Sequence, residues 1–236
     1  MPGGEDLGRV RSLFVIYGCL FYCPGRRLKE YRDTARLYIF TLDLLNHTYP
    51  VITAVEGLPY DCISLLPCAA SLGGVVIMTS NALIHIDQAA RRVALPVNGW
   101  AARVSDMPML PLENDLELTL EGGHLVFADE KTFFVIRKDG MIHPVEILSD
   151  GRTVSKLTIS PALAQTTIPS TAIQLGGGFL FVGSTVGPSV LLKTHRVEEE
   201  LPCGGEEPAT PAVVVDTHMD IDDDDGEVGD SDNFHF

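Results

Sequence analysis

Glycine pairs or triplets precede an apolar run at three places in this chain. They are Gly73-Gly74, Gly122-Gly123 and Gly176-Gly177-Gly178. Their starts lie about 50 residues apart, a spacing typical of architectures in which each repeat is one β-propeller blade. The spacing therefore predicts an array of blades.

A polar break and a second apolar run follow each glycine site. The paired runs are 75–78 with 83–86, 125–128 with 133–136, and 179–182 with 190–192. Short runs rich in Val, Ile and Phe are typical of hairpin-linked strands. Alternation continues over 92–97 and 141–147, so each repeat supplies three or four strands, about one blade. We expect an all-β fold, a partial β-propeller of about three blades; a β-sandwich with accidental glycine spacing is the alternative.

Charge is distributed unevenly along the 236 residues, whose formal net charge is -15. All 17 Lys and Arg residues lie at or before Arg196, whereas the sequence after it carries acids and no base. Such a segment buries too little apolar surface to offset its ordering entropy. We therefore divide the chain into a divergent N-terminal segment with a strand (1–24), blades (25–196) and a disordered acidic linker (197–236).

Basic residues cluster once in the N-terminal part of the chain. The cluster consists of Arg26, Arg27, Lys29, Arg32 and Arg36, with Tyr22, Tyr31 and Tyr38 interleaved. Cations bind phosphates and aromatic rings stack on bases, so the cluster is a candidate RNA-binding loop. A solvated loop between strands is the alternative.

Catalytic and metal-binding patterns are not evident in the sequence. Gly176-Gly177-Gly178 lacks the Lys-Ser/Thr ending of a phosphate loop, and no serine stands in a Gly-x-Ser-x-Gly elbow. His85 and Asp87 alternate on one strand face, a spacing found more often among solvent-exposed polar side chains than in a catalytic site. Five cysteines form no zinc set and indicate a reducing compartment. We expect no enzymatic activity, no cofactor, no metal and no membrane association.

Several segments in colinear order resemble one known family. The matching stretches are Tyr49–Ile52, Gly57–Cys62, Leu66-Pro67, Gly73–Val75, Asp87-Gln88, Val97–Trp100, Asp150–Val154 and Leu180–Lys193. They are similar to the largest, scaffold subunit of the cleavage and polyadenylation specificity factor, in the form that fungal members have. The motif residues to which we assign structural roles are Gly73, Gly74, Asp150, Gly151, Arg152, Gly183, Ser184, Gly187 and Ser189.

The resemblance implies blades of the first propeller of a nuclear scaffold that acts in pre-mRNA 3′-end formation. It also implies partners: a WD-repeat subunit and a zinc-finger subunit that read the polyadenylation signal, while a separate metallo-β-lactamase subunit cuts. Full-length members are several times longer, so this chain resembles a fragment. The wider group includes the large subunit of the damaged-DNA-binding complex and a spliceosomal scaffold, which leaves a nucleic-acid-binding propeller of that type as the alternative.

Two loops are candidates for partner binding, because exposed aromatic side chains often anchor interfaces. Their residues are Leu58, Pro59, Tyr60, Asn98 and Trp100. The sequence leaves open whether Trp100 is exposed or belongs to the core. Direct contact with pre-mRNA, through the basic loop or another loop, also remains open.

Overall fold

The computed structural model describes residues 13–18, 32–41, 47–112, 117–196 and 213–216. Within these ranges the chain forms sixteen strands in four antiparallel sheets and one helix of four residues. This architecture confirms the predicted all-β, partial propeller. The helix is far too short to cross a bilayer, and the described part of the chain contains no other.

The first two sheets are continuous meanders in chain order. The first sheet has the order β1-β2-β3 and the second the order β4-β5-β6-β7. The strands of the first sheet are β1 (Leu13–Gly18), β2 (Ala35–Phe40) and β3 (Val51–Leu58). Those of the second are β4 (Cys62–Pro67), β5 (Val75–Thr79), β6 (Ala82–Ile86) and β7 (Arg92–Pro96).

Helix α1 (Ala101–Val104) separates these from the third and fourth sheets. The third has the order β11-β10-β9-β8, with β12 also paired to β10, and the fourth the order β13-β14-β15-β16. The third consists of β8 (His124–Phe127), β9 (Thr132–Ile136), β10 (Met141–Asp150), β11 (Thr153–Ile159) and β12 (Ala164–Gln165). The fourth consists of β13 (Thr171–Gly176), β14 (Phe179–Gly183), β15 (Val190–Arg196) and β16 (Val213–Asp216).

The second sheet packs on both of its neighbours, because β5 and β6 are buried at every position. Successive side chains of a strand point to opposite faces. Val75 and Ile77 accordingly join Leu37 of the first sheet in the first core. Val76 and Met78 point the other way and form the second core with residues of the third sheet.

The third sheet repeats this arrangement through β9, which is also buried throughout. Phe133 and Val135 belong to the second core, whereas Phe134 and Ile136 form the third core with Leu180 and other residues of the fourth sheet. Three cores thus join four sheets in chain order, as blades join in a propeller.

The outer face of the fourth sheet carries large apolar side chains that nothing in the described chain covers. Ile173, Leu175 and Phe179 are exposed, and the ammonium of Lys193 lies 5.7 Å from the Phe179 ring centroid. The opposite face of the same sheet contributes Leu180 and Val182 to the third core.

The count of about three blades was too low, since the structure contains four sheets. The glycine repeat marks the second, third and fourth sheets: Gly73-Gly74 precedes β5, Gly122-Gly123 precedes β8, and the triplet joins β13 to β14. No glycine pair immediately precedes a strand of the first sheet, so the repeat could not reveal it.

The segment expected to be a disordered acidic linker contains one strand. Strand β16 pairs with β15, with Val215 opposite Thr194 and Val213 opposite Arg196. Three consecutive valines explain this exception, because β-branched residues favour extended backbone and the surrounding acids do not interrupt them. The remainder of 197–236 lies outside the described residues. In the N-terminal segment, β1 is a strand paired with β2.

Gly74 and Gly176 allow a matched test of the repeat. Both have positive φ. An added Cβ at Gly74 would lie 3.0 Å from the Asp87 Cα and would clash with the Ile86 carbonyl oxygen, whereas an added Cβ at Gly176 would have open space around it. Gly176→Ala should cost about 1–2 kcal/mol of unfolding free energy from left-handed backbone strain. Gly74→Ala should cost at least about 1–3 kcal/mol more, because the backbone around it must also move. Urea unfolding followed by circular dichroism measures both, and equal losses would contradict the steric argument.

Candidate functional site

The five residues expected to bind partners divide into buried and exposed groups. Trp100 and Tyr60 are 58% and 47% exposed. Leu58 is fully buried in the first core, and Pro59 is buried too, so neither offers the exposed anchor that we expected. Leu58 faces inward because it pairs with Ala35, another residue of that core. Asn98 is only 5% exposed, and its side chain binds the loop from inside the fold.

A polar network connects the loops that carry the two exposed aromatic residues. The Asn81 amide nitrogen donates to Asp61 Oδ2 over 3.0 Å, and the Asn98 amide nitrogen donates to Asn81 Oδ1 over 3.1 Å. Asp61 follows Tyr60 directly, and Trp100 lies two residues after Asn98. The network therefore joins the two loops that carry the aromatic residues, at one end of the second sheet.

Asn98 uses nearly its whole hydrogen-bonding capacity to hold the loop after β7. Its second amide hydrogen goes to the Leu118 carbonyl oxygen at 2.5 Å, and its Oδ1 accepts from the Trp100 backbone nitrogen at 2.9 Å. An asparagine side chain has two donors and one acceptor oxygen, so all three groups are engaged. This explains why an amide, rather than an apolar residue, occupies a buried position here.

Asp61, at the other end of the network, has hydrogen-bond partners on only one of its two carboxylate oxygens. Its Oδ2 also accepts from the Ser80 backbone nitrogen at 3.2 Å, but its Oδ1 is buried without a hydrogen-bond partner in the described structure. Burial raises the pKa of Asp61, and the bonds from Asn81 and Ser80 oppose that rise.

Trp100 presents its ring to solvent beside a positive charge. The guanidinium carbon of Arg103, one turn further along helix α1, lies 4.8 Å from the ring centroid, within cation–π range. The Trp100 carbonyl oxygen accepts from the backbone nitrogens of Arg103 and Val104 at 2.8 and 3.1 Å. The ring thus sits on a hydrogen-bonded turn.

A pocket of about 410 Å³ adjoins Trp100. It is lined by Pro96, Asn98, Gly99, Ala102, Ser105, Asp106, Met107, Met109, Leu110 and Leu112. Asp33 secures its far wall, because it accepts from Ser105 Oγ at 2.6 Å and from the Asp106 backbone nitrogen at 2.9 Å. We call Tyr60, Trp100, Arg103 and this pocket the Trp100 surface.

The structure gives little support to the basic RNA-binding cluster. Arg26, Arg27 and Lys29 lie outside the described residues. Arg32 pairs with Asp106 at 2.8 Å, and Arg36 pairs with Glu56 at 3.3 Å. Both described cations are therefore engaged by carboxylates, and Arg32 closes the edge of the Trp100 surface.

The family-motif residues of the fourth sheet build the turn between β14 and β15. Ser184 Oγ donates to the Ile168 carbonyl oxygen at 2.7 Å and accepts from the Gly187 backbone nitrogen at 3.2 Å. Ser189 Oγ accepts from the Ser184 backbone nitrogen at 3.1 Å. A Cβ on Gly183 would lie 2.7 Å from the Thr171 side chain, and the space at Gly187 is similarly limited by Thr167.

Three further motif residues, Asp150, Gly151 and Arg152, lie at the turn between β10 and β11. Asp150 pairs with Thr153, and Gly151 has a φ of 57°. The glycine supplies the left-handed backbone that this tight turn requires. Arg152 remains exposed at the tip.

The buried histidines and the described cysteines have surroundings that shift their pKa values, and each histidine also contacts a backbone carbonyl oxygen. His85 Nε2 lies 3.2 Å from the Gly73 carbonyl oxygen and His143 Nδ1 3.1 Å from that of Ser160, and burial lowers the pKa of both rings. Burial also raises the pKa of Cys62 and of Cys68 to about 12. Among the described residues no three His, Cys, Asp or Glu side chains form a possible metal site.

Comparison with known sequences agrees with the stacked sheets. A sequence model described as the RSE1/DDB1/CPSF1 first beta-propeller matches residues 28–218. The chain belongs to this family. The match includes strands β2 through β16, and it confirms the resemblance drawn from the sequence.

Individual relatives match most of this chain at moderate identity. Cleavage and polyadenylation specificity factor subunit 1 of Drosophila melanogaster is 28% identical over 190 residues, 80% of this chain and 13% of the relative. Protein CFT1 of Yarrowia lipolytica is 29% identical and covers 82% of this chain and 15% of its own length. Protein cft1 of Neurospora crassa is 34% identical, and the match covers 70% of this chain and 12% of that relative. The chain thus spans less than a sixth of each relative.

Asn98→Ala should disrupt the network and loosen Trp100. Losing the side-chain bonds of a buried amide should lower the unfolding free energy by about 1–3 kcal/mol. Trp100 is the single tryptophan, so its fluorescence anisotropy should fall in the same variant. Gln88→Ala, which removes an exposed amide from another turn, is the matched control and should change neither quantity. Unchanged anisotropy in Asn98→Ala would show that Asn98 does not position the ring.

Stability should decrease as the pH falls from 7.5 to 5.5. His85 and His143 have lowered pKa values in the folded chain, so below about pH 6.5 the unfolded chain binds protons that the folded chain does not. Each ring should contribute at most about 1.4 kcal/mol per pH unit below 6.5. Urea unfolding at several pH values measures the slope. The double variant His85→Gln with His143→Gln should weaken the dependence of the unfolding free energy on pH. An unchanged slope in this variant would contradict the prediction.

Proposed function

We propose that this chain is a non-catalytic scaffold part of the pre-mRNA 3′-end cleavage and polyadenylation machinery and acts in the nucleus. The observation that carries the proposal is the match of 70–82% of the chain to proteins named cleavage and polyadenylation specificity factor subunit 1 or Cft1.

A non-catalytic role agrees with the state of the reactive groups. The histidines at 85 and 143 are buried and bonded to backbone carbonyls. With pKa values near 12, the thiols of Cys62 and Cys68 are protonated at neutral pH and are weak nucleophiles. These groups stabilise the sheets and their turns.

The Trp100 surface is the proposed site of partner binding. Interface energy concentrates in a few aromatic and arginine side chains near a pocket, and Trp and Arg are among the most enriched. Trp100 and Arg103 satisfy this description, and the buried network holds the backbone that carries the indole before a partner arrives. Ordering costs on binding are therefore low. The partners we propose are the WD-repeat and zinc-finger subunits of the same machinery.

Direct RNA binding is the second candidate, and one observation favours it. An exposed indole next to an arginine can stack on a base and contact a phosphate. Arg32 and Arg36 weaken this candidate, because each is already paired with a carboxylate. The family also includes RSE1 and DDB1 in its description, which keeps a nucleic-acid-binding propeller of a spliceosomal or damaged-DNA-binding type as the alternative.

A pull-down from nuclear extract tests the scaffold proposal. Trp100→Ala should reduce recovery of the WD-repeat and zinc-finger subunits at least about tenfold, as expected when an interface anchor worth 2 kcal/mol or more is removed. Leu148→Ala removes an exposed apolar side chain from the third sheet and serves as the matched control. Equal recovery by wild type, Trp100→Ala and Tyr60→Ala would count against the Trp100 surface as the partner site.

RNA crosslinking and subunit recovery, measured on a charge-reversed variant of the basic loop, separate the two candidates. Replacing Arg26, Arg27 and Lys29 by Glu should leave subunit recovery intact under the scaffold proposal. If that replacement abolished crosslinking to pre-mRNA while the subunits still bound, RNA contact would be assigned to this region.

A further inference from the structure

A second, smaller pocket lies between the second and third sheets. Its volume is about 210 Å³. The lining residues are Leu72, Gly73, Asp87, Gln88, Ala89, Arg91 and Arg152. They come from the turn before β5, the turn between β6 and β7, and the turn between β10 and β11. All three turns belong to segments that carry the family resemblance, although they are far apart in the sequence.

Asp87 organises one wall of this pocket. Its Oδ1 accepts from the backbone nitrogens of Ala89 and Arg91 at 2.8 and 2.9 Å, and its Oδ2 accepts from Arg91 Nε at 2.6 Å. Burial alone would raise the pKa of Asp87, but these bonds outweigh it and lower the pKa. The carboxylate is therefore ionised at neutral pH and holds Arg91 in one orientation.

Arg91 connects this wall to the third sheet. Its Nη2 donates to Thr153 Oγ1 over 3.3 Å, next to Arg152. Ala90, within the Asp87 turn, has a φ of 61°, a conformation that non-glycine residues seldom adopt. The hydrogen bonds of Asp87 thus maintain a turn that the local sequence does not favour.

Donors without partners face the same space. Within the part of the chain that the structure describes, neither the Arg152 guanidinium nor the Gln88 amide makes a hydrogen bond to protein. Gly73 leaves room beside them, because an added Cβ would lie 3.6 Å from Gln88 Nε2. One carboxylate and two guanidinium groups line the pocket, so its net charge is one positive.

We propose that this pocket binds a single carboxylate or phosphate group carried by a segment of a partner protein. Planar guanidinium groups bind both anions through paired charge-assisted hydrogen bonds. The volume is below the roughly 300–1,000 Å³ of small-molecule sites, so it fits one anionic group and not a nucleotide. An RNA backbone would be bound by a track of several cations, and here one arginine without a partner is available.

This anion pocket is separate from the Trp100 surface. Residues 87–91 connect the ends of β6 and β7 that lie opposite the ends near Asn81 and Asn98. The inference therefore goes beyond the proposed function and does not depend on the identity of the subunits at the Trp100 surface.

Nuclear magnetic resonance of the arginine side chains in the full 236-residue chain provides the test. At constant ionic strength, the Arg152 Nε–H signal should shift saturably with a tetrapeptide carrying two glutamates or with one carrying phosphoserine. The tetrapeptide with two glutamines should cause no shift. Whichever acidic peptide binds more tightly identifies the source of the anion.

Charge-matched variants decide whether the pocket is responsible. Arg152→Gln should weaken peptide binding about tenfold, the loss expected for a charged hydrogen bond, as followed on the Arg91 signal. Lys138→Gln removes one positive charge from another exposed turn of the third sheet and should leave affinity unchanged. Equal affinity in Arg152→Gln, or no saturable shift with either acidic peptide, would overturn the proposal. Binding of a ten-nucleotide uridine RNA that depends on Arg152, without peptide binding, would overturn it in favour of RNA.

Discussion

The structure depends on sheets that bury both faces. In β5, β6 and β9 every residue is buried, so these strands present no side chain to solvent. Three residues of these strands are polar. Thr79 and His85 contact the carbonyl oxygens of Ala82 and Gly73, whereas Thr132 Oγ1 is buried without a hydrogen-bond partner in the described structure. Because the strands are committed to packing, chemistry that recognises other molecules is confined to the turns at the sheet ends.

The turns at the two ends of the second sheet are built in the same way. At one end buried Asn98 fixes the backbone that carries exposed Trp100, and at the other Asp87 fixes exposed Arg91. In each case a short polar side chain with little solvent contact binds backbone N–H groups of its own turn. The turn backbone that carries each large side chain is thereby held before a ligand arrives, which lowers the entropy lost on binding.

The sequence predicted those features that depend on local pattern. Glycine sites and paired apolar runs identified the second, third and fourth sheets, since tight turns require positive φ and strands require apolar runs. The first sheet was missed because β2 and β3 are joined without a glycine pair. Burial in loops was not predictable either. Leu58 and Tyr60 are two residues apart, yet tertiary packing places one in a core and the other in solvent. The sequence likewise did not predict that Gly73, Asp87 and Arg152 line one pocket, because this depends on how the second and third sheets pack together.

The exposed apolar face of the fourth sheet has a thermodynamic consequence for the whole stack. Among the described residues four sheets share three cores, so the first and fourth sheets each have one packed face where an inner sheet has two. Each added sheet contributes one further core at the cost of ordering one more repeat, while the deficit at the two ends stays constant. Free energy per sheet therefore grows with the number of sheets, and closing the ring would remove the end deficit altogether. Before closure, amide hydrogens of the terminal sheets should be the first to exchange with solvent, and those of the second and third sheets the last.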